Sequence, residues 1–214
     1  MSQRKLSLLD RILCEADAAR RGMTRLTEQP RRPSPAEGHA EADLSEQERR
    51  HAAGLMRVNH TGEVCAQALY RGQALTARLD NVRSEMDQAA VEEADHLAWC
   101  EQRLEDLDSH PSALNPVFYG MSFALGAIAG TVGDEVSLGF VAATEERVCA
   151  HLRDHLQRLP ETDRRSRLVL QQMLEDEERH GDNARAAGGR ELPSTIKSAM
   201  TSVSKLMTET TYHV

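Results

Sequence analysis

The chain has 214 residues, enough for one ordinary domain with tails to spare. It is 40% hydrophobic but only 3% aromatic, and its wealth of Ala, Leu, Glu, Gln and Arg favours helices, which points to an all-α fold. Acidic residues outnumber basic ones, 34 to 26, for a formal charge of -8, which argues against a phosphate-tracking surface and so against nucleic acid as a partner.

Residues 5 to about 28 carry Leu6, Leu8, Leu9, Ile12, Leu13 and Ala16 at helical spacing and predict a short amphipathic helix. This N-terminus lacks the long apolar run of a secretory signal, and Asp10, Glu15 and Asp17 interrupt any transit-peptide pattern, so the protein is expected to stay where it is made. Residues 29–43 hold Pro30, Pro33 and Pro35 and little that could be buried, and read as a linker. The chain thus divides into an amphipathic segment, 1–28, a Pro-rich linker, 29–43, and a helical domain, 44–214.

Ser45 followed by Glu48 is a capping box that opens a helix running to about Ala77. Further helical patterns run from about Val82 to Leu107, Gly133 to Leu159 and Asp163 to Ala187, the last closed by Gly188 and Gly189. Pro193 opens a shorter segment with Ile196, Met200, Val203 and Met207 on one face. Four long helices with short flanking ones predict a four-helix bundle. Residues 111–133 break the amphipathic rule: they hold no charge, but two prolines and four glycines predict broken helicity, in a buried or membrane-surface segment.

Cys14, Cys65, Cys100 and Cys149 form no CxxC pair, which excludes a zinc knuckle or thioredoxin-type motif and predicts reduced thiols of no chemical role. Two Glu-x-x-His motifs carry the chemistry: Glu93 with His96, and Glu177 with His180. Residues three apart on a helix share a face, so each motif can turn a carboxylate and an imidazole to one metal ion. A lone motif of this kind usually lies on a solvated face, as predicted for Glu48 and His51 in the first turns of the first helix. Glu92, Glu146 and Glu178 read the same way. The two inner motifs differ in their company. Glu63 stands 30 residues before Glu93 and Glu145 stands 32 before Glu177, so Glu followed by Glu-x-x-His occurs twice. One Glu from each of two helices and one Glu-x-x-His from each of the other two is the donor pattern of ferritin-like di-iron and di-manganese bundles. His51 is excluded by reach, lying about 18 Å along the helix from Glu63 at about 1.5 Å per residue. His60, His151 and His155 are expected near the site in supporting or surface roles.

With these residues in hand, the chain resembles the demethoxyubiquinone hydroxylase family of di-iron monooxygenases. The resemblance runs through Arg57-Val58-Asn59-His60-Thr61-Gly62-Glu63, Glu93-Ala94-Asp95-His96-Leu97, SFALGAIAG, Thr144-Glu145-Glu146 and Asp176-Glu177-Glu178-Arg179-His180. It implies a ferritin-like four-helix bundle whose two iron ions are held by Glu63, Glu93, His96, Glu145, Glu177 and His180. It implies O2 as co-substrate and, as substrate, a polyprenylated methoxy-methyl benzoquinol hydroxylated on its ring in ubiquinone biosynthesis. The uncharged stretch would then receive the isoprenoid tail at the cytoplasmic side of the cell membrane, as a peripheral protein. An external electron donor is needed, since no dinucleotide-binding glycine motif is present, and other ubiquinone-biosynthesis proteins are expected partners. The family carries an aromatic residue after the position of His151, where this chain has Leu152. The rival readings are a rubrerythrin-like peroxidase or ferroxidase, a tRNA-modifying di-iron hydroxylase, and a non-enzymatic membrane-associated bundle that binds a prenyl lipid.

Overall fold

The computed structural model describes residues 30–214. The predicted helix over 5–28 and Cys14 lie outside the described residues. Six helices follow in order: α1 Glu46–Thr76, α2 Asp80–Asp106, α3 Asn115–Val132, α4 Asp134–Arg158, α5 Arg164–Ala186 and α6 Ser194–Thr211. Among the described residues there is no strand, and no helix is long and apolar enough to cross a membrane.

The four long helices predicted from periodicity are α1, α2, α4 and α5, paired as the hairpins α1/α2 and α4/α5. Their ends follow local chemistry. Ser45 accepts from the Glu48 amide at 3.3 Å while the Glu48 carboxylate accepts from the Ser45 amide at 2.9 Å, closing the capping box. Asp163 caps α5 by accepting from the Ser166 amide at 3.0 Å, and Gly188, at φ 99°, ends it in a conformation that favours glycine. The Asp134 carboxylate accepts from the amides of Arg78 and Leu79, at 3.1 and 2.9 Å, and so ties the α1/α2 turn to the start of α4.

Residues 111–133 correct one expectation. The helix α3 is unbroken, because Pro116 falls in its first turn, where no amide partner is lost, and Pro111 lies before it. Its glycines are contact points. A Cβ on Gly126 would overlap the Leu69 carbonyl oxygen, and one on Gly72 would overlap that of Phe123, so α1 and α3 touch backbone to backbone. Residues 30–44, where the prolines predict little burial, lie packed on the bundle: Ala36 and Leu44 enter the core, and Arg31 and Arg32 bond Asp95 on α2.

Two apolar clusters divide the bundle lengthwise. One gathers Leu55, Met56, Trp99, Leu104, Leu152, Val169, Leu170 and Met173. The other gathers Ala66, Tyr70, Val82, Met86, Leu138, Val141 and Ala184. On each long helix the residues that fall between the two clusters include the candidate ligands: Glu63 on α1, Glu93 and His96 on α2, Glu145 on α4, Glu177 and His180 on α5. The polar centre therefore has an apolar plug above and below it, which keeps water from screening its charges.

Candidate metal centre

All six residues expected from the sequence meet at mid-bundle, and the most exposed of them, His180, is 8% exposed. Glu63, Glu93, His96 and Glu177 each offer a donor atom, and these atoms lie within 4.8 Å of one another. Around His96 Nδ1 stand Glu177 Oε1 at 3.0 Å, Glu93 Oε2 at 3.2 Å and Glu63 Oε2 at 3.5 Å. Around His180 Nδ1 stand Glu177 Oε2 at 3.2 Å and Glu93 Oε1 at 3.5 Å. Glu93 and Glu177 thus each turn one oxygen to one imidazole and the other oxygen to the second. Glu145 completes the group, interacting with Glu177 and accepting a hydrogen bond from the Tyr70 hydroxyl.

The far nitrogen of each imidazole is held by a second carboxylate. His96 Nε2 lies 3.0 Å from Asp176 Oδ2, and His180 Nε2 lies 2.7 Å from Glu92 Oε2. A neutral imidazole keeps its proton on the Nε2 that faces this carboxylate, which leaves the Nδ1 lone pair for a metal ion. Asp176 is anchored in turn by Arg32 at 2.8 Å and Arg179 at 2.9 Å, and Arg179 reaches Glu92 at 3.1 Å. Sequence reasoning missed these supports. Glu92 was read as a solvated-face residue, yet it is the partner of His180; its position directly before a ligand was the available signal. Glu146 and Glu178 do face solvent, paired with Lys197 and Arg153.

The electrostatics call for cations. Burial, then the charge of Glu93, pushes Glu63 well above the usual carboxylate range; burial, then the charge of Glu177, does the same to Glu145. Burial works against charge on His180, but Glu177 and Glu93 outweigh it and push the imidazole up to about 12. These shifts are those of a buried centre that needs positive charge to balance its carboxylates. Among the described residues Glu145 Oε2 is buried without a hydrogen-bond partner, and Glu177 Oε1 and Glu93 Oε1 have beside them an imidazole nitrogen, at 3.0 and 3.5 Å. Buried carboxylate oxygens left unpaired are costly, whereas four carboxylates and two imidazoles suit a pair of divalent first-row ions. The residues present fit such a metal pair.

His51, His60, His151 and His155 all have partners outside the six candidate ligands. His60 is buried and bonds Asn115 at 3.2 Å, burial pushing it down to about 4. His155 bonds Asn59 at 2.8 Å and is likewise pushed down to about 4 by burial. His151 is half-buried beside Ser204, at 3.4 Å. His51 lies outside the centre, bonded to the Tyr212 hydroxyl at 2.6 Å. Cys65, Cys100 and Cys149 are free thiols, and burial pushes Cys65 up to about 11, away from thiolate chemistry.

On one side of the centre lies an elongated cavity of about 300 Å³ between α1, α3, α4 and α6. Leu69, Phe118, Leu125, Phe140, Val148 and Met200 give it an apolar wall, and Glu63 reaches it from the metal centre. The helix α6 lines it with Ile196, Met200, Val203 and Met207, the face predicted from the sequence. At its rim α3 exposes a stripe of Val117, Met121, Leu125, Ile128 and Val132, the last two 60% and 62% exposed, and α6 exposes Leu206.

A ferritin-like bundle with a buried carboxylate–imidazole cluster open to an apolar cavity is the class that fold and site define. Residues 50–211 match the family of the ubiquinone biosynthesis protein COQ7, and the chain belongs to that family. It is 60% identical over 213 residues to the 3-demethoxyubiquinol 3-hydroxylase of Stutzerimonas stutzeri, 59% to that of Ectopseudomonas mendocina and 58% to that of Azotobacter vinelandii. Each comparison covers 100% of this chain and 99% of the relative.

Proposed function

We propose that the chain is a di-iron monooxygenase that hydroxylates the ring of a polyprenylated methoxy-methyl benzoquinol, demethoxyubiquinol, with O2 in ubiquinone biosynthesis. The observation that carries this reading is the placement of Glu93 and Glu177, each of which turns its two oxygens to the two different imidazoles. Carboxylates so placed, together with Glu63, His96, Glu145 and His180, would hold two ions. The match to hydroxylases of this name over the whole chain supports the substrate assignment.

Iron, when bound, would supply the oxygen-activating electrons. The protein's own part is positional. Asp176 and Glu92 hold the imidazoles in one tautomer and orientation. Glu93 and Glu177, each facing both imidazoles, would help to hold the metal pair. The apolar plugs above and below exclude water, and the cavity beside Glu63 receives the ring and the first isoprenoid units. The exposed stripe on α3, with Leu206 on α6, would lie on the cytoplasmic face of the cell membrane, so that the lipid tail passes from bilayer to cavity without crossing water. Electrons would come from an external donor, and other ubiquinone-biosynthesis proteins would supply or receive the lipid. A wall so apolar does not suit free ferrous ion as substrate, which disfavours the ferroxidase reading.

The test is anaerobic iron loading followed by stoichiometry and oxygen uptake with a short-chain demethoxyubiquinol, on wild type and Glu177→Ala. Two irons per chain and a hydroxylated product, both lost in the variant, are expected. Uptake that does not depend on the quinol, or an unchanged iron count in the variant, overturns the assignment.

A further inference from the structure

The cavity beside Glu63 is apolar except at a few places, and one of these is a side-chain amide. Asn59 lines it and is 5% exposed, yet its Nδ2 is buried and donates to no atom of the described residues. An amide N–H left unpaired in an apolar site bears its full desolvation penalty, so a ligand oxygen placed there is favoured. Its orientation is enforced from behind. His155 Nδ1 lies 2.8 Å from Asn59 Oδ1, and an imidazole donating there holds the amide with Nδ2 turned away from it. Burial keeps His155 neutral, pushed down to about 4, so this partner does not change with pH in the ordinary range. The neighbouring His60 is bonded to Asn115 and does not compete.

Asn59 also stands four residues before Glu63 on α1, which puts both on one helix face about 6 Å apart along the axis. A ring oxygen accepting from Asn59 would therefore hold its ring one helical turn from a carboxylate of the metal centre. The cavity has a second buried donor without a partner among the described residues, Arg147 Nε on α4, whose Nη2 is already spent on the Lys197 carbonyl at 3.3 Å. An occupant with an apolar tail and a ring bearing oxygens satisfies both donors; a plain hydrocarbon satisfies neither.

We propose that Asn59 is the substrate-orienting residue, its Nδ2–H donating to a ring oxygen of the bound quinol so that the ring is held against the Glu63 side of the centre. This rests on the hydroxylase reading above and adds the residue that recognises the ring.

The experiment is anaerobic calorimetric titration of the full-length protein with three short-tailed ligands: the demethoxyubiquinol, its quinone, and the same tail on a benzene ring without oxygens. Wild type is expected to bind quinol and quinone about tenfold more tightly than the bare ring, the worth of one good hydrogen bond. Asn59→Leu should bring all three affinities together. Asn59→Asp keeps the shape and the oxygen facing His155 and, once ionised at the alkaline end of a titration series run from about pH 6 to 9, offers the ring an acceptor in place of a donor. It should hold the quinol, whose hydroxyl can donate, and lose about tenfold on the quinone, which cannot. Melting curves separate any folding defect from this pattern, and a merely structural Asn59 would weaken quinol and quinone alike. An Asn59→Asp protein with an unchanged quinone-to-quinol ratio overturns the assignment of Asn59 alone. Wild type that binds none of the three ligands overturns it together with the hydroxylase reading.

Discussion

Replacing Arg32 with Gln removes the cation that fastens residues 30–44 to the support of the metal centre. The guanidinium gives Nε to Asp95 at 2.9 Å and Nη1 to Asp176 at 2.8 Å, and stands 4.8 Å over the Trp99 ring. Breaking one partner out of a fully buried pair costs about 3–5 kcal/mol. Two observations scale that figure down here. The Arg32 side chain is 36% exposed, so solvent screens it. Asp176 also keeps Arg179 at 2.9 Å and His96 at 3.0 Å, while Asp95 keeps the Arg31 amide at 2.7 Å. What remains is about 2 kcal/mol, or a fall in Tm of roughly 4–8 °C for a chain of this size. The sign of the pH dependence follows from Asp176: burial would raise its pKa, but hydrogen bonds from His96 and Arg32 outweigh burial and hold it well below the usual carboxylate range. A carboxyl depressed on folding stabilises above its unfolded value of about 3.9 and loses that contribution as pH falls further. The gap between wild type and variant should be level from about pH 5.5 to 8 and narrow below about pH 4. Thermal melts of the metal-free full chain across that range measure it. An unchanged Tm at neutral pH, or a gap that widens on acidification, refutes the reasoning.

Three further outcomes are expected. Gly126→Ala drives a Cβ into the Leu69 backbone and forces α1 and α3 apart, for a loss of about 2–3 kcal/mol or more in denaturant unfolding; Gly120→Ala, on the same helix with open space around it, is the control and should be neutral or gain up to about 1 kcal/mol. Tyr70→Phe takes the donor from buried Glu145 and should cost the metal-free protein about 1–2 kcal/mol, with a smaller loss once divalent metal gives that carboxylate a partner; equal losses in both states would contradict the placement of Glu145 as a ligand. Ile128→Asp with Val132→Asp should leave the melting temperature almost unchanged, because both side chains already face solvent, and lower co-sedimentation with anionic vesicles at least about tenfold; unaltered sedimentation would remove α3 from the membrane-facing surface.

Periodicity and caps made the four long helices legible, because both are local. Ser45 with Glu48, and Gly188 after α5, mark ends that hydrogen bonds between near neighbours determine. The six candidate ligands were legible for a related reason: spacing of three fixes a helix face, and two hairpins of similar length bring the faces into register. Asp176 and Glu92 were hidden because their partners lie on another helix, 80 residues from His96 and 88 from His180. Arg32 was hidden further still, 144 residues from Asp176 and inside a stretch whose prolines suggest solvent. The continuity of α3 was misjudged because glycine's helix penalty is local, whereas the backbone contact with α1 that Gly72 and Gly126 permit is tertiary.

The supports and the cavity fall on different parts of the bundle, and this separation constrains how a substrate can act on the centre. Both imidazoles belong to α2 and α5, and the carboxylates that brace them, Asp176 and Glu92, come from the same two helices. The cavity opens instead between α1, α3, α4 and α6, and the candidate ligand that reaches it is Glu63, a carboxylate with no arginine against it among the described residues. A ring entering there meets the centre through Glu63 and leaves the orientation of His96 and His180 untouched. Substitutions in the cavity wall should then change which ring is accepted, while substitutions in the Arg32, Asp176 and Arg179 network should change how firmly metal is held. The two sets are joined through the centre itself, so coupling between them, measured as non-additivity in double variants, would have to pass through Glu63 or the pair Glu93 and Glu177.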